Sequence, residues 1–170
     1  NLTPSYACSF APTDQRLAAT CANFRWLYDN KQNAVDGFSV QPAKWCRMDL
    51  VTATESKGTG INWPILRYSD VLLLLAEAEN EINNAPTQTA KDMLKRVRER
   101  AFINASDKAV QVDGYINALE DHDTFKQAII NERAWEFGGE NIRKFDLIRW
   151  NYYSDAIVNT IEWMRNIAIN

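Results

Sequence analysis

INERAWEFGGENIRKFDLIRW (130–150) places charged side chains where an amphipathic helix should be apolar. At about 100° per residue, with Phe125 set at 0°, Ile129 falls near about 40° and Ala128 near about −60°. Glu132 and Glu136 then lie about 20° to either side of Phe125, inside the apolar stripe. Four acids (Glu132, Glu136, Glu140, Asp146) accompany four bases (Arg133, Arg143, Lys144, Arg149), so the segment is neutral. A buried carboxylate with an adjacent guanidinium stays ionised, because the opposite charge offsets the loss of water. The pattern predicts a buried ionic clamp of Glu132, Glu136, Asp146, Arg133, Arg143 and Arg149, with the arginines of this segment as partners.

The competing assignment is catalytic. Carboxyls at i and i+4 start about 5–6 Å apart at Cβ, close to the ~5–5.5 Å of retaining glycosidases. A glycosidase using Glu132 and Glu136 would need one carboxyl with a raised pKa. Neighbouring arginines push the other way, and a pair on one helix face leaves no cleft for a sugar. The clamp is the expected role.

Downstream and upstream, the chain reads as helices. Thr124 with Gln127 forms a capping-box pattern that opens the helix carrying the two glutamates. Gly138–Gly139 supplies a left-handed stop. Asn141 is placed to cap a helix over 142–151, and Ser154 to cap a last one over 155–169, with Ile157, Ile161, Trp163 and Met164 available for packing. Upstream, Pro64 suits a first helical turn, and residues 65–83 continue without a breaker. Tyr68, Val71, Leu72, Leu75 and Ile82 lie on one side of that helix and Leu66 and Leu73 on another, which predicts burial between neighbours. Glu79 is a further acid in an apolar stripe. A second helix spans 89–101, with Met93, Leu94 and Val97 turned inward.

The charges of this pair look complementary. Asp70, Glu77, Glu79 and Glu81 face no base between 70 and 81, whereas Lys91, Lys95, Arg96, Arg98 and Arg100 outnumber Asp92 and Glu99. A short connection predicts an antiparallel helical hairpin whose basic run faces its acidic partner, the unit of helical solenoids. A loop of about twenty residues with a turn at VDGY (112–115) is expected to follow.

Residues 1–61 hold no sustained period and are punctuated by Pro4, Pro12, Gly37, Pro42, Gly58 and Gly60. FRWLY (24–28) and KWCRM (44–48) read as two strands flanking a polar loop, 29–37, and 55–60 as an exposed loop. The expected fold is mostly α, tetratricopeptide-like helix pairs with a short irregular or β-hairpin N-terminal segment. Residues 1–61 and 62–170 are expected to form one domain.

Composition narrows the function. The chain has 170 residues, 46% apolar, with 19 basic and 22 acidic side chains and a net charge of −3. That is enough apolar material for a core, which argues against disorder. A mildly acidic balance argues against a nucleic-acid partner. The longest apolar run, Val71 to Ala76, is far short of the ~20 residues of a membrane span. No signal peptide is visible, and in a chain that starts at Asn1 rather than Met that absence decides nothing. Cys8, Cys21 and Cys46 are an odd set without close pairs, and His122 is a lone histidine in an acidic turn. No metal site or cofactor is expected, and at most one internal disulfide.

At this point the residues look familiar. NWPILRYSDVLLLLAEAENE (62–81), LKRVRERA (94–101) and INERAWEFGGENIRKFDLIRW (130–150) occur in the order seen in the SusD/RagB-like family, which the chain resembles. The matching residues are Arg67, Tyr68, Ala76–Glu77–Ala78, Val97, Arg98, Arg100, Glu132, Arg133, Glu136, Glu140, Arg143, Asp146, Leu147, Arg149 and Trp150. TDQR (13–16) fits what precedes these blocks. Ala134 stands where a second arginine is common, and Ser69–Asp70 replaces the usual Ala–Glu. The resemblance treats these as scaffold motifs, which adds Arg67 to the clamp. It further implies a segment from the C-terminal half of a chain about three times as long.

The family resemblance implies a non-catalytic, lipid-anchored protein on the extracellular face of the outer membrane in Bacteroidetes. Such proteins bind oligosaccharides or other nutrients and sit on a SusC-like TonB-dependent transporter. Any membrane contact would be through a lipid anchor outside this segment. The alternative class is a helical protein–protein interaction module without glycan binding. Sugars stack their C–H faces on exposed aromatic rings, so Trp26, Tyr28 and Trp45, flanking the polar loop 29–37, are the ligand candidates. Tyr115 lies in the long loop. Trp135, Trp150 and Trp163 are assigned to packing, and Trp63 to a hydrophobic staple.

Overall fold

The computed structural model describes residues 2–26, 32–34, 39–45 and 62–169. Tyr28, Cys46, most of the 29–37 and 44–48 segments and the 55–60 loop lie outside the described residues. Helices α1 (Pro4–Cys8) and α2 (Gln15–Thr20) come first. Four short strands follow: β1 (Cys21–Ala22), β2 (Phe24–Trp26), β3 (Gln32–Ala34) and β4 (Gln41–Pro42). Then come α3 (Tyr68–Asn83), α4 (Gln88–Ala101), a π-helical turn (Val110–Gly114), α5 (Tyr115–Asn117), α6 (His122–Glu136), α7 (Arg143–Arg149) and α8 (Tyr153–Ile169). The fold is mostly helical, as the sequence predicts, with a small β element near its start.

The α3–α4 hairpin forms because its connection is built to turn. Asn84 takes the left-handed conformation, φ 50°, and ends α3. Thr87 caps α4 by accepting a hydrogen bond from Ala90 N at 3.1 Å, while its hydroxyl donates to the Glu79 carboxylate at 2.8 Å. Leu72, Leu73 and Ala76 of α3, Ala90, Leu94 and Val97 of α4, and Phe125, Ala128 and Ile129 of α6 pack into one core. Alanines at three of these positions let the helix axes approach closely, and each fully buried large side chain contributes about 1.5–3 kcal/mol.

Several local expectations are corrected. The strand partner of β2 is β3, taken from within the polar loop, and β4 pairs with β1; both pairings are antiparallel. Strands of two or three residues are too short for alternation to mark them. The proline-punctuated N-terminal part also holds two helices, each opened by a side-chain cap, Thr3 accepting from Tyr6 N and Asp14 from Arg16 N. Asp121, not Thr124, caps α6. Asn141 has φ 62° and lies ahead of α7 as a left-handed bend rather than as its cap, and Ser154 falls inside α8. The long loop contains the π-helical turn and α5. Helix α3 is buried along one side only, by Ser69, Leu72, Leu73, Ala76 and Asn80, instead of being enclosed on two.

The charges of the hairpin also go elsewhere. Among the described residues no ion pair joins α3 to α4. Asp70 pairs with Arg133, Glu77 with Arg149, and Glu81 with Lys126 and His122. From α4, the Arg96 guanidinium lies 5.4 Å from the centre of the Tyr68 ring and Arg100 Nη2 donates to Ser69 Oγ at 3.3 Å. No helix of the described residues is long and apolar enough to cross a membrane.

Candidate functional site

The two glutamates of α6 are fully buried, Glu132 at 0% and Glu136 at 3% exposure. The Glu132 Oε1 atom accepts from Arg16 Nη1 at 2.7 Å and its Oε2 from Arg98 Nη1 at 2.7 Å. Arg16 is fixed in turn by Asp14, whose Oδ2 accepts from Arg16 Nη2 at 2.7 Å. Arg98 is held by the Gln111 carbonyl, through Nε at 3.0 Å and Nη2 at 2.9 Å, and lies 3.8 Å from the centre of the Tyr115 ring. Tyr115 is therefore packing material beneath a guanidinium.

Glu136 is held from the other side. Its Oε1 accepts from Arg67 Nη1 at 2.9 Å and from Arg100 Nη2. Burial alone would raise this carboxyl, but the Arg100 and Arg67 guanidiniums outweigh it and hold it down at about 2. Glu136 is thus ionised at neutral pH and has no proton to give. Arg67 also forks onto Glu140, Nε to Oε2 at 2.9 Å and Nη2 to Oε1 at 2.7 Å, and Lys44 reaches the same carboxylate. Burial pulls the Lys44 ammonium down in pKa, partly offset by Glu140.

A second cluster joins α3, α6 and α7. Arg133 bridges Asp146 at 2.8 Å and Asp70 at 2.6 Å. Arg149 bridges Asp146 at 3.0 Å and Glu77 Oε2 at 2.6 Å, and Trp150 Nε1 donates to Glu77 Oε1 at 2.7 Å. Of the arginines expected in the clamp, Arg143 differs. It donates to the Ile130 carbonyl at 2.8 Å, stands 5.9 Å from the Trp150 ring, and makes no carboxylate pair among the described residues. Its hydrogen bond to a backbone carbonyl ties α7 to α6 in place of an ion pair.

The arginines that meet Glu132 and Glu136 come from α2, α4 and the segment before α3, rather than from their own segment as expected. Arg16, Lys44, Arg98 and Arg100 were therefore missing from the clamp expected on sequence grounds. The available signals were the basic run of α4, in which Arg98 lies within about 60° of Leu94 and Ala101 on the helical wheel, and the family blocks, which contain Arg98 and Arg100, with Arg16 in the TDQR segment ahead of them.

An open cleft of about 340 Å³ lies over this cluster, lined by Arg16, Thr20, Lys44, Arg67, Arg100 and Glu136 among others. The turn after α6 forms its neighbourhood. Gly139 takes φ 80°, which favours glycine, and Gly138 lies so close to Tyr6 that an added Cβ would sit 1.9 Å from the phenol oxygen. Trp45 Nε1 donates to the Gly139 carbonyl at 3.0 Å. Its ring is 4.9 Å from that of Trp63, tilted by 32°. Trp63 is half exposed, at 50%, and so forms an aromatic pair with Trp45 rather than a helix staple. Of the other ligand candidates, Trp26 lies in β2 and Tyr28 outside the described residues. Trp135 donates to Ser9 Oγ at 3.0 Å, and Cys8 and Cys21 are free thiols.

A model of the SusD family matches residues 12–166. The chain belongs to the SusD family. It is 40% identical over 93 residues to SusD-like protein P25 of Formosa agariphila, covering 55% of this chain and 16% of that protein. SusD-like protein P38 of the same organism is 32% identical over 89 residues, 51% of this chain and 16% of its own length. The crystal structure of a SusD homolog from Bacteroides thetaiotaomicron superposes with a TM-score of 0.72 at 28% identity, covering 88% of this chain and 32% of that one. The chain spans about a sixth of the length of the curated relatives it matches and a third of the solved one.

Proposed function

We propose that this chain forms part of a non-catalytic binding protein. It captures an oligosaccharide or another nutrient at the outer face of the outer membrane and passes it to a SusC-like TonB-dependent transporter. The observation that carries this reading is the SusD-family match over residues 12–166. The geometry of α6 supports it, because both candidate catalytic carboxylates are occupied by guanidiniums and Glu136 is held near 2, where it cannot serve as a general acid. Membrane attachment in this reading is by a lipid anchor outside residues 1–170.

We assign the ligand platform to the Trp45–Trp63 pair, and keep Trp26 and Tyr28 as further candidates on sequence grounds. The exposed ring of Trp63 offers a face for sugar C–H groups, and Trp45 is oriented by its bond to Gly139. Titration of the protein with a panel of soluble glycans should quench tryptophan emission, and Trp63→Ala should weaken binding with little effect on the melting temperature. No response to any glycan, or an unchanged affinity in both Trp63→Ala and Trp45→Ala, would refute the platform.

A further inference from the structure

The cleft over the α6 cluster is lined by more positive than negative charge. Of its charged side chains Arg16, Lys44, Arg67 and Arg100 are cations, and Glu136 alone is an anion. Both Glu136 oxygens are already taken, Oε1 by Arg67 and Arg100 and Oε2 by Arg16 at 3.4 Å. Asp14, Glu132 and Glu140, which balance the others, are buried and stay out of the lining. Arg100 is the exposed member, 58% at its side chain. Only its Nη2 is engaged, by Glu136 and by Ser69 Oγ at 3.3 Å, and its Nε and Nη1 meet no acceptor among the described residues. One helical turn back, the exposed Arg96 rests near the Tyr68 ring and pairs with no carboxylate among the described residues. Arg96 and Arg100 share a smaller hollow of about 150 Å³. Like charges at i and i+4 destabilise a bare helix, and an anion held between them turns that repulsion into attraction.

We propose that this cleft holds the anionic group of an acidic oligosaccharide, a uronate carboxylate or a sulfate ester, whose sugar rings lie on the Trp45–Trp63 pair. The proposal rests on the glycan-binding reading above and adds the charge of the ligand to it. The donors left open on Arg96 and Arg100 are all N–H groups. An anionic oxygen accepts without having to donate, whereas a sugar hydroxyl also carries a proton that needs an acceptor. Guanidinium forks match carboxylates and tetrahedral oxyanions two oxygens at a time. The cleft, about 340 Å³, falls within the ~300–1,000 Å³ of ligand sites. The aromatic pair stands at the same turn after α6. Trp45 Nε1 donates to the Gly139 carbonyl, while Lys44, its neighbour in the chain, reaches the Glu136 carbonyl and the Glu140 carboxylate.

Isothermal titration of the polypeptide expressed from its complete gene tests it. The probes are oligogalacturonate, alginate, chondroitin sulfate and carrageenan oligosaccharides, each beside its carboxyl-reduced or desulfated form, together with neutral glycans. The acidic form that binds should do so about 10-fold more tightly than its neutralised form. That advantage should be lost in Arg96→Gln and in Arg100→Gln, and should shrink as NaCl rises from about 50 to about 500 mM. Carboxyl reduction and desulfation tell the two anions apart. Equal affinity for the neutralised form, a preference that survives in both variants, or binding confined to neutral glycans would overturn the inference and leave the aromatic platform standing. No binding of any glycan would refute the platform, and the inference with it. Arg100→Gln also strips a partner from Glu136; if it does not fold, Arg96→Gln carries the test, since among the described residues Arg96 contacts only the Tyr68 ring.

Discussion

Glu136 shows how one residue's surroundings set its contribution. Its carboxyl has an ordinary value of 4.5 and is held at about 2 in the fold. The folded pKa is depressed, so the stabilisation is complete above about 4.5 and is lost as pH falls through about 2. The difference corresponds to something on the order of 3 kcal/mol. The melting temperature should therefore fall steeply between pH ~4.5 and ~2, and Glu136→Gln should flatten that slope; an identical slope in the variant would contradict the assignment. Gly138 is a second sharp test. Ala at this position would collide with the Tyr6 ring, itself fixed by a 2.8 Å bond to the Ala134 carbonyl, and should cost about 1–3 kcal/mol in a urea titration. At this scale the buried glutamates were readable, because a 3.6-residue period places both in the apolar stripe. Of their partners only Arg67 was anticipated, through the family resemblance; Arg16, Arg98 and Arg100 come from distant segments that meet only in the folded chain.

Among the elements, long helices were readable and their ends were not. The core helices announced themselves by period. The cap of α6 was misplaced because two capping patterns overlap. Asp121 accepts from Thr124 N at 2.9 Å, and the Thr124 hydroxyl donates back to the Asp121 carboxylate at 2.9 Å. Asp121→Ala should lower stability by about 1 kcal/mol in thermal denaturation, as the loss of an N-cap does, while Gln127→Ala should leave it nearly unchanged. The reverse order would restore Thr124 as the cap. The charge count of α3 and α4 predicted that the basic run of α4 faces the acids of α3, whereas those acids pair with Arg133, Arg149, Lys126 and His122. It misassigned the partners, because composition reports the sign of a charge but not the direction in which its side chain points.

For the whole molecule, α6 is the spine to which the other elements are tied by charge. Arg16 of α2, Arg67 before α3, Arg98 and Arg100 of α4, and Asp146 of α7 all end on side chains of α6. The family was readable from three ordered blocks, which hold every residue of these ties except Arg16. The ligand was not, because its aromatic candidates flank short strands and loops that carry no period. Urea unfolding of Glu132→Gln tests the central claim, that these carboxylates hold the helices together. Removing the charge leaves Arg16 and Arg98 buried with less compensation, so stability should fall by about 3–5 kcal/mol while ligand binding below the transition persists. A variant as stable as the unaltered protein but unable to act on or bind its ligand would contradict it.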